Sequence, residues 1–222
     1  MSTSPYTCIL WDVDGTIADA SAGILPRLRL VLESYDRPQP DPAALALWIG
    51  PPMLESFQRL AGMDREQAEE AVQRYRALAA ADGYAASVDI YPGVEDVLHA
   101  VHAAGIPQAT ASTKPENQVR AILDHYTLTP LFTAISGARV GQVGNDDGKA
   151  FVITQALERL SAAGVDVSRP VLIGDRHHDI DGAAEHGIPV IFSAWGFGDP
   201  AEAEGAIAIA ATAADLRPLL LG

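Results

Sequence analysis

One stretch constrains the fold more than any other. The apolar run Cys8-Ile9-Leu10-Trp11 leads straight into Asp12-Val13-Asp14-Gly15-Thr16. A short apolar run that stops abruptly at acids reads as a buried strand with a polar end. Residues i and i+2 of an extended chain point the same way. Asp12 and Asp14 therefore converge just past the strand's carboxyl end, where open α/β sheets bind ligands. Two like charges so close need a cation or a shared proton. A hard cation such as Mg²⁺, held by one or two carboxylates beside a phosphate, meets that need. A hairpin turn at Asp14-Gly15 lacks a matching strand after it. An EF-hand loop counted from Asp12 would need glycine and glutamate where Ile17 and Gly23 stand.

After Thr16 the period becomes helical. Ile24, Leu25, Leu28, Val31 and Leu32 predict a helix within Ile17 to Tyr35, ended by Pro38, Pro40 and Pro42. Further helices are expected over Ala43 to Ile49, from Met53 to Gly62, and from Arg65 to about Ala81. The last has Asp64 and Gln67 at capping-box spacing. No strand is evident between Ile17 and Val88. Helices are then expected over Val94 to Ala104, Pro115 to Tyr126, Lys149 to Ala163, Ile180 to His186 and Ala214 to Leu221. Strands are expected at Ile106 to Ala111, Phe132 to Ser136, Pro170 to Ile173, Ile188 to Phe192 and Ala206 to Ala210. Alternation of this kind predicts an α/β fold with a doubly wound parallel sheet. The predicted core is residues 1–17 and 88–222, with an inserted helical domain over 18–87.

Composition narrows the partners. The net charge of −14 leaves no basic patch for nucleic acid or an anionic membrane. No 18-residue apolar run is present, so no membrane span is expected. The N-terminus lacks a charged region followed by an apolar stretch, so no signal peptide is expected. Cys8 is the one cysteine and sits in the apolar strand, as a core thiol in a reducing cytoplasm would. Of 15 basic residues only Lys114 and Lys149 are lysines. A compact ammonium is not interchangeable with a guanidinium.

Later strands end as the first does. Ala111-Ser112-Thr113-Lys114-Pro115 places hydroxyls and a lysine between a strand and a helix, where they can meet an anion or simply cap the helix. Lys149 opens a helix after Asn145-Asp146-Asp147-Gly148, a poor place for a cation unless it has an anionic partner. A P-loop is excluded by Val143 and Ala150. Ile173-Gly174-Asp175-Arg176-His177-His178-Asp179 again delivers carboxylates past a strand. His177 and His178 read as loop surface, and Asp181 as solvent-facing. Acids, hydroxyl, ammonium and more acids at one end of one sheet suit a metal and a phosphoryl group.

These motifs resemble the haloacid dehalogenase-like superfamily. Asp12-Val13-Asp14-Gly15-Thr16 is similar to its first motif, Ser112 to its second, Lys149 to its third, and Gly174-Asp175 through Asp179 to its fourth. The helical insert resembles a cap over the site. Gly50-Pro51-Pro52 and Trp195-Gly196-Phe197-Gly198 add a resemblance to bacterial phosphoglycolate phosphatases and related 5′-nucleotidases. The resemblance implies that the first and fourth of these strands are neighbours. It implies a catalytic set of Asp12 as nucleophile, Asp14 as acid and base, and Ser112 and Lys149 on the phosphoryl oxygens. It implies Gly15, Thr16, Thr113 and Lys114 at the substrate. Mg²⁺ would be held by Asp12, the Asp14 carbonyl and Asp175, with Asp179 in support. The expected partner is a small phosphate ester, and the expected state a monomer or homodimer. Arg27, Arg29, Arg59 and Arg74 are cap cations that sequence leaves unplaced.

Rival functions are weighed on single residues. A dehalogenase of this superfamily lacks the second aspartate. A P-type pump carries lysine where Val13 stands. A sugar phosphomutase of the β-phosphoglucomutase type would carry a histidine on the first cap helix, and Asp19 to Leu32 has none. A phosphate-binding regulator without catalysis would be expected to lack one of the catalytic residues.

Overall fold

A computed structural model describes residues 4–141 and 147–222. Residues 1–3 and 142–146 lie outside the described residues, and with them Asn145 and Asp146 of the loop before Lys149. In chain order the elements begin with β1 (Cys8–Trp11), β2 (Ala18–Asp19), α1 (Ser21–Glu33), α2 (Pro42–Leu45), α3 (Met53–Arg59) and α4 (Arg65–Asp82). Then come β3 (Asp89–Ile90), α5 (Val94–Ala103), β4 (Gln108–Thr110), β5 (Ser112–Pro115), α6 (Glu116–His125) and β6 (Gly137–Ala138). The chain closes with α7 (Lys149–Ala162), β7 (Pro170–Gly174), α8 (His177–Ala184), β8 (Val190–Ser193), β9 (Ala208–Ala210) and α9 (Leu216–Leu221).

The main sheet runs β4-β1-β7-β8-β9, parallel throughout. β1 lies between β4 and β7, and all of its residues are buried, as a parallel strand covered on both faces requires. Its alternation divides the core. Ile9 and Trp11 join Val171 and Ile173 on the face packed by α5, α6 and α9 and by the helices after β2. Cys8 and Leu10 join Leu172 on the face covered by α7 and α8. Trp11 Nε1 donates to Gln108 Oε1 (3.0 Å), and Gln108 Nε2 donates to the carbonyls of Leu98 (3.1 Å) and Leu131 (3.2 Å), so this buried polar pair is satisfied. β1 lies beside β7, the neighbour relation expected of the first and fourth strands.

Several expectations need correction. Phe132 to Ser136 is not a strand but makes a single bridge, Ala109 to Ala134. The Thr110 hydroxyl donates to the Ser136 carbonyl (2.9 Å) and accepts from its N–H (2.8 Å), alongside backbone bonds from Thr133 N to Gln108 O (2.8 Å) and Thr110 N to Ala134 O (3.2 Å). β2 and β3 pair antiparallel where the chain leaves and rejoins the sheet region; two residues each are too few to show periodicity. The helix expected within Ile17 to Tyr35 starts at Ser21, because the amides of Thr16, Ile17 and Ala18 all turn back to the Val13 carbonyl. Asp64 does cap α4, accepting from Gln67 N at 2.8 Å. The Gln67 side chain does not return to it and instead accepts from Arg37 (3.0 Å). α8 begins three residues early, so His177 and His178 stand in its first turn and not in a loop.

Candidate active site

Backbone bonds carry the ladder past the strand ends. Asp12 N donates to Ile173 O (2.9 Å) and Ala111 N donates to Trp11 O (2.7 Å). Asp12, Ala111-Ser112 and Gly174-Asp175 thus end on adjacent strands. Asp12, Ser112, Lys149, Asp175 and Asp179 are all buried.

Lys149 is the first residue of α7 and so sits at the positive end of the helix dipole. Carboxylates outweigh that cost. Its Nζ donates to Asp12 Oδ1 (2.6 Å) and to Ala111 O (2.9 Å). It also lies 2.6 Å from Asp179 Oδ1, without hydrogen-bond alignment. α8 can pass this close because a Cβ on Gly182 would stand 2.7 Å from the Lys149 Cβ. Asp179 is held by its other oxygen, which accepts from Arg176 N (3.0 Å) and caps α8. Asp175 Oδ2 accepts from Phe197 N (2.7 Å). Glycines surround this carboxylate: a Cβ on Gly15 or Gly196 would collide with it, and one on Gly198 with the Asp175 carbonyl. The Gly-Phe-Gly run therefore has a physical reason that sequence reading did not supply.

The cluster fits a divalent cation. Oxygens of Asp12, Asp175 and Asp179 lie within 4.8 Å of one another. Three buried carboxylates face the Lys149 ammonium, with the Arg176 charge also acting on Asp175, so negative charge is in excess at this site. Asp175 Oδ1 is buried without a hydrogen-bond partner, and Asp179 Oδ1 has the Lys149 ammonium beside it. An all-oxygen donor set suits a hard ion such as Mg²⁺. Burial pushes the Asp12 and Asp175 carboxyls up; at Asp12 Lys149 opposes this, while at Asp175 the charges of Asp179 and Asp12 add to it. Burial alone would lower the Lys149 ammonium, but Asp12 and Asp179 hold it well above the usual lysine range.

The Asp14 carboxylate stands apart from this cluster. Its Oδ2 lies 2.9 Å from Lys114 Nζ. Burial raises its pKa against the pull of Lys114. Both residues line an open cleft whose enclosed space is about 90 Å³. Tyr75 and Arg76 of α4 and Thr113 line it too. The other expected substrate residues are engaged elsewhere in part. The Thr113 hydroxyl donates to Gly50 O (2.8 Å). The Thr16 hydroxyl is buried against Ser193 Oγ (3.2 Å). Ser112 Oγ accepts from Lys114 N (3.3 Å).

Arg76 of α4 is a cavity-lining cation that sequence reading missed. It follows Val72 and Tyr75 at helical spacing, so a cation on an otherwise apolar stripe was the available signal. The four arginines named from sequence do not line this cavity. Arg27 is buried with Nε on Gly23 O (2.6 Å), Arg59 pairs with Glu55 (2.6 Å), Arg74 lies over the Tyr35 ring (5.2 Å) and Arg29 is exposed. Arg176 ties Glu202 (3.0 Å) to the Ile49 carbonyl of the helical insert. Asp181 is exposed, as expected.

Comparison with known proteins agrees with this geometry. Residues 9–193 match the family model described as haloacid dehalogenase-like hydrolase. The chain is 35% identical over 190 residues to the tyrosine-protein kinase PtkA of Mycobacterium tuberculosis, covering 86% of this chain but 62% of that relative's length. It is 32% identical to a 5′-nucleotidase of Pseudomonas aeruginosa, covering 89% of this chain and 86% of the relative. It is 31% identical to a phosphoglycolate phosphatase of Caulobacter vibrioides, covering 89% and 84%. The crystal structure of a predicted phosphatase from Clostridium acetobutylicum superposes with a TM-score of 0.87 at 30% identity, covering 96% and 97% of the two chains. The fold, the acid pair at the end of β1 and these relatives agree: the chain belongs to the haloacid dehalogenase-like hydrolases.

Proposed function

We propose that this chain is a Mg²⁺-dependent phosphomonoester hydrolase acting on a small phosphorylated metabolite through an aspartyl phosphate at Asp12. The observation that carries the reading is the contact of Lys149 with Asp12 and Asp179 beside a buried, incompletely satisfied Asp175. Asp12 attacks phosphorus, and the ester P–O bond breaks with its electron pair on the leaving oxygen. Asp14 gives that oxygen a proton, then takes one from the water that hydrolyses the intermediate. Lys149 and Ser112 stabilise the phosphoryl oxygens, contacts worth about 3 kcal/mol each in comparable sites. Asp12 and Asp175 would hold Mg²⁺, with Asp179 and the Asp14 carbonyl in support. When bound, the ion neutralises charge on the phosphoryl group. Residues 18–87 act as the cap over this cavity, with Thr113 and Lys114 on its substrate side, while Gly15 and Thr16 support the Asp175 carboxylate and the strand end from outside it.

The relatives named 5′-nucleotidase and phosphoglycolate phosphatase support a small phosphate ester as substrate. The net charge of −14 supports neither a nucleic-acid nor a membrane partner. Among the described residues no helix is long and apolar enough to cross a membrane. A cytoplasmic location is supported by the buried free Cys8. The state is read as monomer or homodimer.

The test is phosphate release from an aryl phosphate with Mg²⁺ and with EDTA, then from a panel of phosphoglycolate, nucleoside monophosphates and sugar phosphates. Activity should vanish in EDTA and in Asp12→Asn. Turnover that survives Asp12→Asn would refute the covalent route. A second reading, phosphoryl transfer to a tyrosyl hydroxyl, is favoured by the 35% identity to PtkA. ATP with a tyrosyl peptide in the same panel separates the two.

A further inference from the structure

Each carboxylate of the Asp12, Asp175 and Asp179 cluster has one oxygen already engaged. Asp12 Oδ1 accepts from Lys149 Nζ (2.6 Å), Asp179 Oδ2 from Arg176 N (3.0 Å) and Asp175 Oδ2 from Phe197 N (2.7 Å). Lys149 opens α7 and Arg176 caps α8. Phe197 belongs to neither helix. It lies in the segment that follows β8, and the mechanism above gives that segment no part.

The segment is shaped to bring one amide to one carboxylate. Ala194 N donates to Ala210 O of β9 (2.9 Å), which fixes its start on the sheet. The Trp195 indole Nε1 donates to Thr16 O (3.1 Å), which ties it to the turn after Asp14. The Thr16 hydroxyl in turn meets Ser193 Oγ at the end of β8 (3.2 Å). Glycine flanks Phe197 on both sides. A Cβ on Gly196 would collide with the Asp175 side chain, and one on Gly198 with the Asp175 carbonyl. The backbone can therefore approach where no side chain would fit. Asp175 is fully buried, and its Oδ1 has no hydrogen-bond partner. Oδ2 is committed to the Phe197 amide, and Oδ1 is the oxygen left for an ion.

We propose that the Trp195–Gly198 segment is a positioning element of the metal site: the Phe197 amide confines Asp175 to ligation through one oxygen and so sets a preference for Mg²⁺ over Ca²⁺. The inference rests on the Mg²⁺ site of the hydrolase reading. A carboxylate with one oxygen held by an N–H offers a metal the other. That suits Mg²⁺, which is bound by few carboxylate oxygens and keeps several waters. It does not suit Ca²⁺, which takes about six to eight oxygens and accepts both from one carboxylate.

The experiment is calorimetric titration of the full chain with Mg²⁺ and separately with Ca²⁺, without any phosphate ester, for the parent and for Phe197→Pro. Proline removes the N–H that Asp175 uses. The parent should bind Mg²⁺ more tightly than Ca²⁺. In Phe197→Pro the Mg²⁺ dissociation constant should rise about 10–100-fold, the usual weight of a group that orients a metal ligand. The Ca²⁺ constant should rise less, because Asp175 is free to offer both oxygens. The ratio of the two constants thus moves toward Ca²⁺, by about 10-fold. Trp195→Phe, which removes only the tie to Thr16, should move the ratio the same way by a smaller factor. If Phe197→Pro loses the parent's circular dichroism spectrum, Trp195→Phe carries the comparison. A merely structural role would weaken both ions alike and leave the ratio in place. Equal losses for the two ions, or a parent that prefers Ca²⁺, would overturn the inference; phosphate release that still requires Mg²⁺ would leave the hydrolase reading standing. A parent that binds neither ion and is inert on every monoester would overturn both.

Discussion

Lys149 is held by charges that also depend on it. Among the described residues its ammonium is the one cation paired with Asp12 and Asp179, and its removal leaves buried carboxylates uncompensated. Lys149→Met should therefore lower phosphate release by about 10²–10³-fold and lower urea stability by about 3–5 kcal/mol; an active or equally stable variant would contradict that role. Gln108 makes a second residue-level case. Gln108→Leu strands the Trp11 indole N–H and two carbonyls, and should reduce stability by about 1–3 kcal/mol in urea melts. At this scale Asp12, Lys149, Asp175 and Asp179 were legible because each follows an apolar run or opens a helix. The Lys114 contact with Asp14, the Phe197 amide on Asp175 and the glycine cradle were not. They join residues far apart in the chain, and no local pattern encodes such pairs.

The elements that shape the site are short. β5 and β6 together place the Thr113-Lys114 bulge, and Gly137→Ala would press on it. The variant should lose about 1–3 kcal/mol by overpacking and turn over more slowly, which urea melts and phosphate release would check. The start of α8 is held to the segment after β8 by Glu202, which accepts from Arg176 Nε (3.0 Å) and His177 N (3.0 Å) and lies 2.6 Å from His177 Nδ1. Burial alone would raise the Glu202 carboxyl, but these donors bring it down from 4.5 to about 2. A depressed carboxyl stabilises the fold above its unfolded pKa, and that contribution disappears as pH falls through the folded value. Glu202→Gln should thus lower Tm at pH 7, and its difference from the parent should close between about pH 4.5 and pH 2. Long periodic helices such as α1, α4 and α7 were legible in the sequence. β2, β3 and the reduction of Phe132 to Ser136 to one bridge were not, because two-residue strands carry no period and the Thr110 hydroxyl's bonds to Ser136 have no local signature.

For the whole molecule, the alternation of strand and helix and the long helical run before residue 88 made the architecture legible. The sheet order then places β1 between β4 and β7, so acids and lysine from distant segments meet at one point. Such a cluster should couple folding to metal. At Mg²⁺ about 100 times its dissociation constant the fold should gain about 2.7 kcal/mol, seen as a rise in Tm that Asp175→Asn abolishes. The central claim is that Asp12 carries the phosphoryl group during turnover. It is tested most directly by mass spectrometry of protein quenched in acid while hydrolysing an aryl phosphate. A phosphoryl adduct on the peptide bearing Asp12 is the predicted result. Continued turnover with no adduct on that peptide would contradict the account.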